Sequence, residues 1–343
     1  IQQNRGKKSV CIDFAKPEAT GLLADLAAGA DVVVENYGPG VLEKRGLEYA
    51  SLAKRNPKLI MASISAFGKT GPFSHKVGFD LIAQAFSGLM SMTGDPSGPP
   101  TWVGLAIADV QTGVHAFGAV GYALFHRERT GQGQHIDVSM VDALYHCHEG
   151  NVQFYANSGG AVEPTRHGAQ HSMVGPMGVY RSAKGWIALL VLERQWEGFC
   201  KALGQPELAS DPRFATGALR GQNKVELTAI IERFLGGLAS DDVALEIFEK
   251  YRVAAAPVLT VKDTVTHPYF AARGMVRRVP DPVLGEVTIP GFPFKFGAIP
   301  ELPDLRAPLL GQHNAEVLRE RLGLDAARIE KLTASGVLVS APS

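Results

Sequence analysis

Residues 103–140 read VGLAIADVQTGVHAFGAVGYALFHRERTGQGQHIDVSM, and this stretch decides the fold. An apolar run, Val103 to Ala108, ends in a single carboxylate, Asp109. A helix of small residues is expected from Val114 to Arg129. Gly131 and Gly133 stop it, because glycine meets no steric penalty at a C-terminal cap. Ile136 to Met140 then reads as a strand. Asp109 thus stands where apolar chain turns into helix. Aspartate is a preferred N-cap, and its charge suits the partial positive charge of a helix start. A purely structural cap is the plain reading of such a residue; its surroundings argue for more.

Upstream, Ser9 to Phe14 has the composition of a strand, and Pro17-Glu18 opens a helix to Ala28 with Leu22, Leu23 and Leu26 as its apolar face. Proline fits a first helical turn, where its missing N–H would be unpaired anyway. Ala30 to Val34 and Leu59 to Ser65 are short apolar runs of the buried-strand type. Helices are expected from Val41 to Arg55 and from Phe79 to Met92. Strands alternating with helices at this spacing predict a parallel α/β sheet. Ligands in such sheets bind beyond the carboxyl ends of the strands. Asn36-Tyr37-Gly38, Phe67-Gly68 and Asp109 are expected there.

Downstream the character changes. A helix is expected from Asp142 to Asn157, then a linker at Ser158-Gly159-Gly160 and a long polar loop from Arg166 to Pro176. A hairpin around Lys184-Gly185 follows, then helices from Gln195 to Leu203, Asn223 to Leu238 and Asp241 to Lys250. Strand-like pieces lie near Val258 and at Met275 to Val279, and Pro280 to Pro300 reads as a second linker. Two helices, Asn314 to Leu322 and Ala326 to Ala334, close the chain.

With 343 residues the chain is long enough for two domains. Its 34 basic and 34 acidic residues balance, which argues against a general nucleic-acid or anionic-membrane binder. Cys11, Cys147 and Cys200 show no CxxC spacing, so a reducing, cytoplasmic setting is the simplest reading. Nothing approaches a transmembrane span. The start, Ile1-Gln2-Gln3, is neither an initiator methionine nor a signal peptide, and an N-terminal element is expected to precede it.

Several motifs fail on context. Gly131-Gln132-Gly133 follows a helix and precedes a strand, the reverse of a dinucleotide fingerprint. His146-Cys147-His148 lies within a helix, where adjacent positions face different ways, so no metal site is expected. No nucleophile elbow or P-loop is present. His171 is a candidate pocket residue on an otherwise polar loop. Lys44 and Arg45 read most simply as a solvated helix face. A strand-end turn, the N–H groups of a helix start and two cations would also suit a phosphate-bearing ligand.

Taken in order, the motifs resemble the class III CoA-transferase (CaiB/BaiF) family across essentially the whole chain. They include Asn4 to Val10 with Asp13, Ala30 to Gly40, Asn56-Pro57, Gly71-Pro72, Gly78-Phe79-Asp80, Ser87 to Met90 and Ala108-Asp109. Arg129 to Gln134, Val138 to Met140, Asp211 to Phe214, His267-Pro268 and Leu310 to Asn314 continue the series. The resemblance implies a large Rossmann-like domain with a smaller α+β domain, in an interlocked homodimer. The division expected is a large CoA-binding domain over 1–160, a small α+β domain over 161–285 and a segment over 286–343 returning to the large domain.

The resemblance also implies the chemistry. Asp109 matches the family's nucleophile, which attacks an acyl-CoA thioester on the way to CoA transfer onto a free carboxylic acid. Backbone N–H groups at the helix start would keep that carboxylate ionised and steady the oxyanion. No permanently bound cofactor is implied; the CoA thioester is a substrate. CoA contacts carried over fall on Ile12, Asp13, Phe14, Ala15, Asn36, Tyr37, Gly38, Lys44, Arg45, Phe79 and Asp80. Ala15 replaces a family lysine, and Lys16 is adjacent. The α-methylacyl-CoA racemases of the same family are the alternative, since Glu193 matches one of their residues. Phe79 stands where they carry a histidine, and a phenyl ring cannot move a proton. A CoA-ester-binding paralogue without turnover is a further alternative. The loop from Arg166 to Pro176 has fewer glycines than in formyl-CoA transferases, which favours a larger acid as substrate.

Overall fold

Three short strands, β1 (Val32–Glu35), β2 (Ile60–Ser65) and β3 (Gln134–Ser139), form a parallel sheet in the order β1-β2-β3. The register pairs Val32 with Ile60 and Ile60 with Gln134. Ile60, Met61, Ala62 and Ser63 are buried, which is why β2 reads as an unbroken apolar run rather than an alternating one. The computed structural model describes residues 1–171, 174–299 and 306–341. The chain divides into two compact units. One holds 1–83, 107–144 and the residues from 263 onward; the other holds 84–106 and 145–262. The divisions expected from sequence at 160 and 285 differ from these, and Ser172, Met173, 300–305 and 342–343 of the expected segments lie outside the described residues.

In the first unit, the helix Pro17–Ala28 leads into β1 and the helix Tyr49–Arg55 leads into β2. Ala24, Leu42, Leu47, Leu52, Leu59 and Met61 make a core beneath the sheet. The helix Ile107–Thr130 leads into β3 and ends where Gly131 turns to a φ of 74°. Close approach also demands glycine at Gly133, where a Cβ would collide with the Leu59 carbonyl. The helices Asn314–Leu322 and Ala326–Ala334 pack Leu318, Ile329 and Leu332 against Leu22 of Pro17–Ala28. The Asn314 side chain completes this join, accepting from Cys11 N and donating to the Val339 carbonyl.

The second unit carries an antiparallel sheet of β4 (Met177–Arg181), β5 (Trp186–Leu190) and β6 (Ala254–Pro257). Its core gathers Tyr180, Ile187, Leu189, Phe199, Phe214, Ile231 and Phe248. The expected hairpin is present, closed by Ser182 and Gly185.

Several expected elements are interrupted. Ser9–Phe14 makes a single bridge, Ile12 to Leu338, because the Asp13 carboxylate folds the chain over by accepting from Ala15 N. The Val41–Arg55 helix breaks at Gly46, leaving a 3₁₀ turn at Glu43–Arg45. Phe79–Met92 breaks at Gly88 into Asp80–Phe86 and Leu89–Met92. The helix expected beyond Asp142 is Met140–His146 and Gly150–Asn157, with Glu149 at positive φ between them. In the first unit, the supposed linker holds strand β8 (Gly285–Pro290), antiparallel to β7 (Val276–Asp281) around a turn that the Asp281 carboxylate closes.

Candidate functional site

Asp109 lies in the first turn of Ile107–Thr130, with its side chain exposed. Residues 103–106 form no strand, so Asp109 does not follow a strand end, and the helix has already begun two residues before it. The carboxylate that caps this helix is Asp80. Its Oδ1 accepts from Ala108 N at 2.7 Å and from Asp109 N at 3.3 Å. Thr112 Oγ1 donates to the Ala108 carbonyl at 2.6 Å and tightens the same turn.

Asp80 reaches that turn because of the glycine two residues before it. A Cβ on Gly78 would lie 2.6 Å from Ala66 Cβ and 3.2 Å from the Phe67 ring, so only glycine lets this segment lie against the residues after β2. The Ala66 carbonyl in turn accepts from Val141 N at 3.1 Å and Ser139 Oγ at 3.2 Å, at the end of β3. One turn after Asp80, the fully buried Gln84 accepts from Val103 N at 2.9 Å and donates to the Leu105 carbonyl at 3.1 Å. Positions i and i+4 share a helix face, so one face of Asp80–Phe86 carries both residues.

Electrostatics follow from the cap. Desolvation, and after it the negative charge of Asp80, raise the Asp109 pKa above the ordinary aspartate value. The expectation that helix-start N–H groups keep Asp109 ionised is therefore corrected: two of those donors point to Asp80. A more basic carboxylate is a better nucleophile toward an electrophilic carbon. Phe79, the residue before Asp80, is 72% exposed and has no proton to exchange.

The other residues expected to contact CoA in this unit form a second cluster. The Phe14 and Tyr37 rings lie 5.4 Å apart, and the Arg45 guanidinium sits 5.1 Å over Phe14 while donating to the Phe14 and Val41 carbonyls. Asn36, Tyr37 and Gly38 form an exposed turn directly after β1. Lys44 is exposed on the three-residue 3₁₀ turn, too short to supply a helix-terminal anion site, so phosphate recognition here would rest on side-chain cations.

The sequence reading missed the pair beneath that turn. Glu35, 3% exposed at its side chain, faces Lys69 Nζ at 3.0 Å and accepts from Tyr37 N at 2.9 Å. The Lys69 contact is one of charge, without the alignment of a hydrogen bond. Lys69 N also donates to Asp137 of β3 at 2.9 Å. A carboxylate ending a buried strand and a lysine in a glycine loop were the signal available.

Glu193 and His171 belong to the other unit. Glu193 pairs with Arg220, which also donates to the Gly175 and Phe214 carbonyls, each at 2.8 Å, and lies 4.5 Å over the Trp196 ring. His171 Nδ1 accepts from Val174 N at 3.1 Å, and its ring lies 5.0 Å from that of His167. Burial first, then His171 and Lys224, lower the His167 pKa. Ser172 and Met173 of this loop lie outside the described residues. His148 Nε2 bonds the Ser87 carbonyl at 2.6 Å. Among the described residues, no group of three His, Cys, Asp or Glu could hold a metal ion, and no helix is long and apolar enough to cross a membrane.

Comparison with known proteins gives a consistent picture. The family model described as "CoA-transferase family III" matches residues 1–314. The chain is 35% identical to "Succinyl-CoA:glutarate CoA-transferase" of Mus musculus, covering 98% of this chain and 77% of that protein. It is likewise 35% identical to "Succinyl-CoA--D-citramalate CoA-transferase" of Chloroflexus aurantiacus, over 97% of this chain and 83% of that one. A crystal structure of a CaiB/BaiF family protein from Brucella suis superposes with a TM-score of 0.80 at 37% identity, covering 93% of this chain and 82% of that one.

Proposed function

The chain belongs to CoA-transferase family III and is an enzyme of that class, and from that premise we propose that it moves CoA from a dicarboxylic acyl-CoA such as succinyl-CoA to a free dicarboxylic acid through a covalent intermediate on Asp109. The observation that carries the reading is Asp109 itself. It is an exposed carboxylate of raised pKa, held on an anchored first turn of a long helix. The names of the relatives supply the class of acid.

The bond changes balance without a proton. An Asp109 carboxylate oxygen attacks the thioester carbon, the C–S bond breaks, and CoA leaves as thiolate, giving a mixed anhydride. The thiolate returns to the aspartyl carbon and expels the donor acid, leaving an aspartyl-CoA thioester. The acceptor carboxylate attacks the aspartyl-CoA carbon and expels the thiolate, giving a second anhydride, and the thiolate then attacks its acceptor carbonyl carbon, releasing the new thioester and the Asp109 carboxylate. A thiolate is a good leaving group, which lets a weak nucleophile serve. Phe14, Tyr37 and Arg45, with Lys44 and the turn at Asn36–Gly38, would hold the CoA moiety, the cations facing its phosphates. Ile12, Asp13 and Ala15 flank Phe14 in the same segment. Phe79 supports transfer over racemisation, since a two-base mechanism lacks one base there.

The Rossmann-like arrangement of the first unit, with a smaller α+β domain in an interlocked homodimer, is part of the same proposal. Val110, Val114, Phe117 and Phe125 form an apolar stripe on Ile107–Thr130, each more than half exposed, as a subunit interface requires. Three free cysteines accord with a cytoplasmic location.

The test is trapping. Incubation with succinyl-CoA, quenching with hydroxylamine or borohydride and peptide mapping should find the label on Asp109. Asp109→Ala retaining full transfer would refute the assignment; Asp109→Asn should be nearly as damaging. In deuterium oxide a 2-methylacyl-CoA should gain no α-deuterium, and rapid entry without acid-dependent transfer would make the enzyme a racemase.

A further inference from the structure

We propose that Asp80 is a positioning residue for Asp109 rather than a ligand of CoA: it caps the turn that carries the nucleophile and takes up the N–H groups that would otherwise draw on its charge. This rests on the reading of Asp109 as the nucleophile and assigns its neighbour a different part in the reaction from the one the family motif implies.

Three observations carry it. First, the Asp80 carboxylate oxygen Oδ1 is engaged by Ala108 N and Asp109 N, the backbone of the reacting residue itself. Second, Asp80 is built to stay there. Gly78 presses its segment against Ala66 and Phe67, the residues that follow β2, so the Asp80 carboxylate is held at the start of Ile107–Thr130. A nucleophile displaced by an ångström loses on the order of 10²-fold in rate, so fixing this turn is catalytically valuable. Third, the charge that acts on Asp109 from among the described residues is that of Asp80, and it disfavours ionisation.

Asp80→Asn separates the possibilities. The amide oxygen can still accept both N–H groups, so the fold is kept while the charge is removed. Three readouts apply. The Asp109 carboxyl titration is followed by NMR of protein labelled with carbon-13 at aspartate, assigned by its loss in Asp109→Asn. CoA affinity is measured by calorimetry. Transfer is measured as kcat and KM. Positioning predicts that the Asp109 titration moves to lower pH, since a neighbouring negative charge is gone. It predicts CoA affinity and KM within about 2-fold and kcat down by about 3-fold or more, because the nucleophile becomes less basic while its turn stays capped, with the acid limb shifted the same way. An unmoved Asp109 titration together with CoA binding weakened more than about 10-fold would overturn it in favour of a CoA contact. The titration is read without turnover. Failure of trapping at Asp109 in the wild type would refute the nucleophile, and an unmoved titration would refute the role of Asp80.

Discussion

Glu193 matches a residue of the racemases, and its pairing with Arg220 makes its part in this protein measurable. Arg220 is 1% exposed and spends its donors on Gly175 O, Phe214 O and the Glu193 carboxylate, with its guanidinium over Trp196. Glu193 is 67% exposed at its side chain, so water screens its end of the pair. Replacing the carboxylate by an amide changes a charge-assisted bond into an ordinary one, a loss of about 1 kcal/mol. Glu193→Ala leaves the buried cation without a counter-charge; breaking a fully buried pair costs about 3–5 kcal/mol, and exposure of the carboxylate reduces the expectation to about 1–3 kcal/mol. Arg220→Met removes donors from two carbonyls and the cation from Trp196, with an expected loss of about 3–5 kcal/mol. Urea unfolding of the single and double variants gives these values, and the double variant should lose less than the sum, because both changes break one pair. CoA transfer by Glu193→Gln, assayed well below its melting temperature, should stay within about 3-fold of wild type, since a residue acting through packing affects the folded fraction before the chemistry. A fall of about 100-fold in kcat at unchanged stability would refute this reasoning and place Glu193 in the reaction.

Gly78→Ala should destabilise the protein by about 1–3 kcal/mol by overpacking, and should lower kcat more than it raises KM, because Ala66 and Asp80 shift together; stability intact with full activity would count against the anchoring role. Lys69→Met should cost about 3 kcal/mol by leaving the buried Glu35 carboxylate without a counter-charge, and adding Glu35→Gln should recover much of it, as read by urea unfolding. Ala at Lys44 or Arg45 should weaken CoA binding by about 1 kcal/mol or more, equally for different acyl groups, measured by calorimetry. The raised pKa of Asp109 has a signed consequence for stability. A carboxyl whose pKa is higher folded than unfolded contributes stability below its unfolded pKa, and that contribution is lost as pH rises through the folded pKa. Asp109→Asn should therefore melt slightly higher than wild type at neutral pH, on the order of 1 °C, with the gap closing in acid.

What the sequence by itself determined was whatever depends on short-range chemistry. Unbroken apolar runs marked β1 and β2, and the hairpin around Lys184-Gly185 is present as read. Gly131 stopped the long helix, and Asn314–Leu322 and Ala326–Ala334 matched their expected bounds. Ordered motifs named the family. Helix continuity was less legible: apolar periodicity runs through Gly46 and Gly88 without a visible break, while the backbone turns to positive φ at both. The strand expected before Asp109 is absent, because its apolar residues are held by Gln84 rather than by a neighbouring strand. The site was legible as a set of residues and not as a set of partnerships. Asp80 and Asp109 are 29 positions apart, Glu35 and Lys69 are joined only across the sheet, and Glu193 meets Arg220 27 positions on. No local propensity encodes such pairs, since which polar groups meet depends on where the chain returns after packing its core. Only the tertiary structure decided that the helix cap belongs to Asp80, leaving Asp109 in the first turn with its carboxylate exposed.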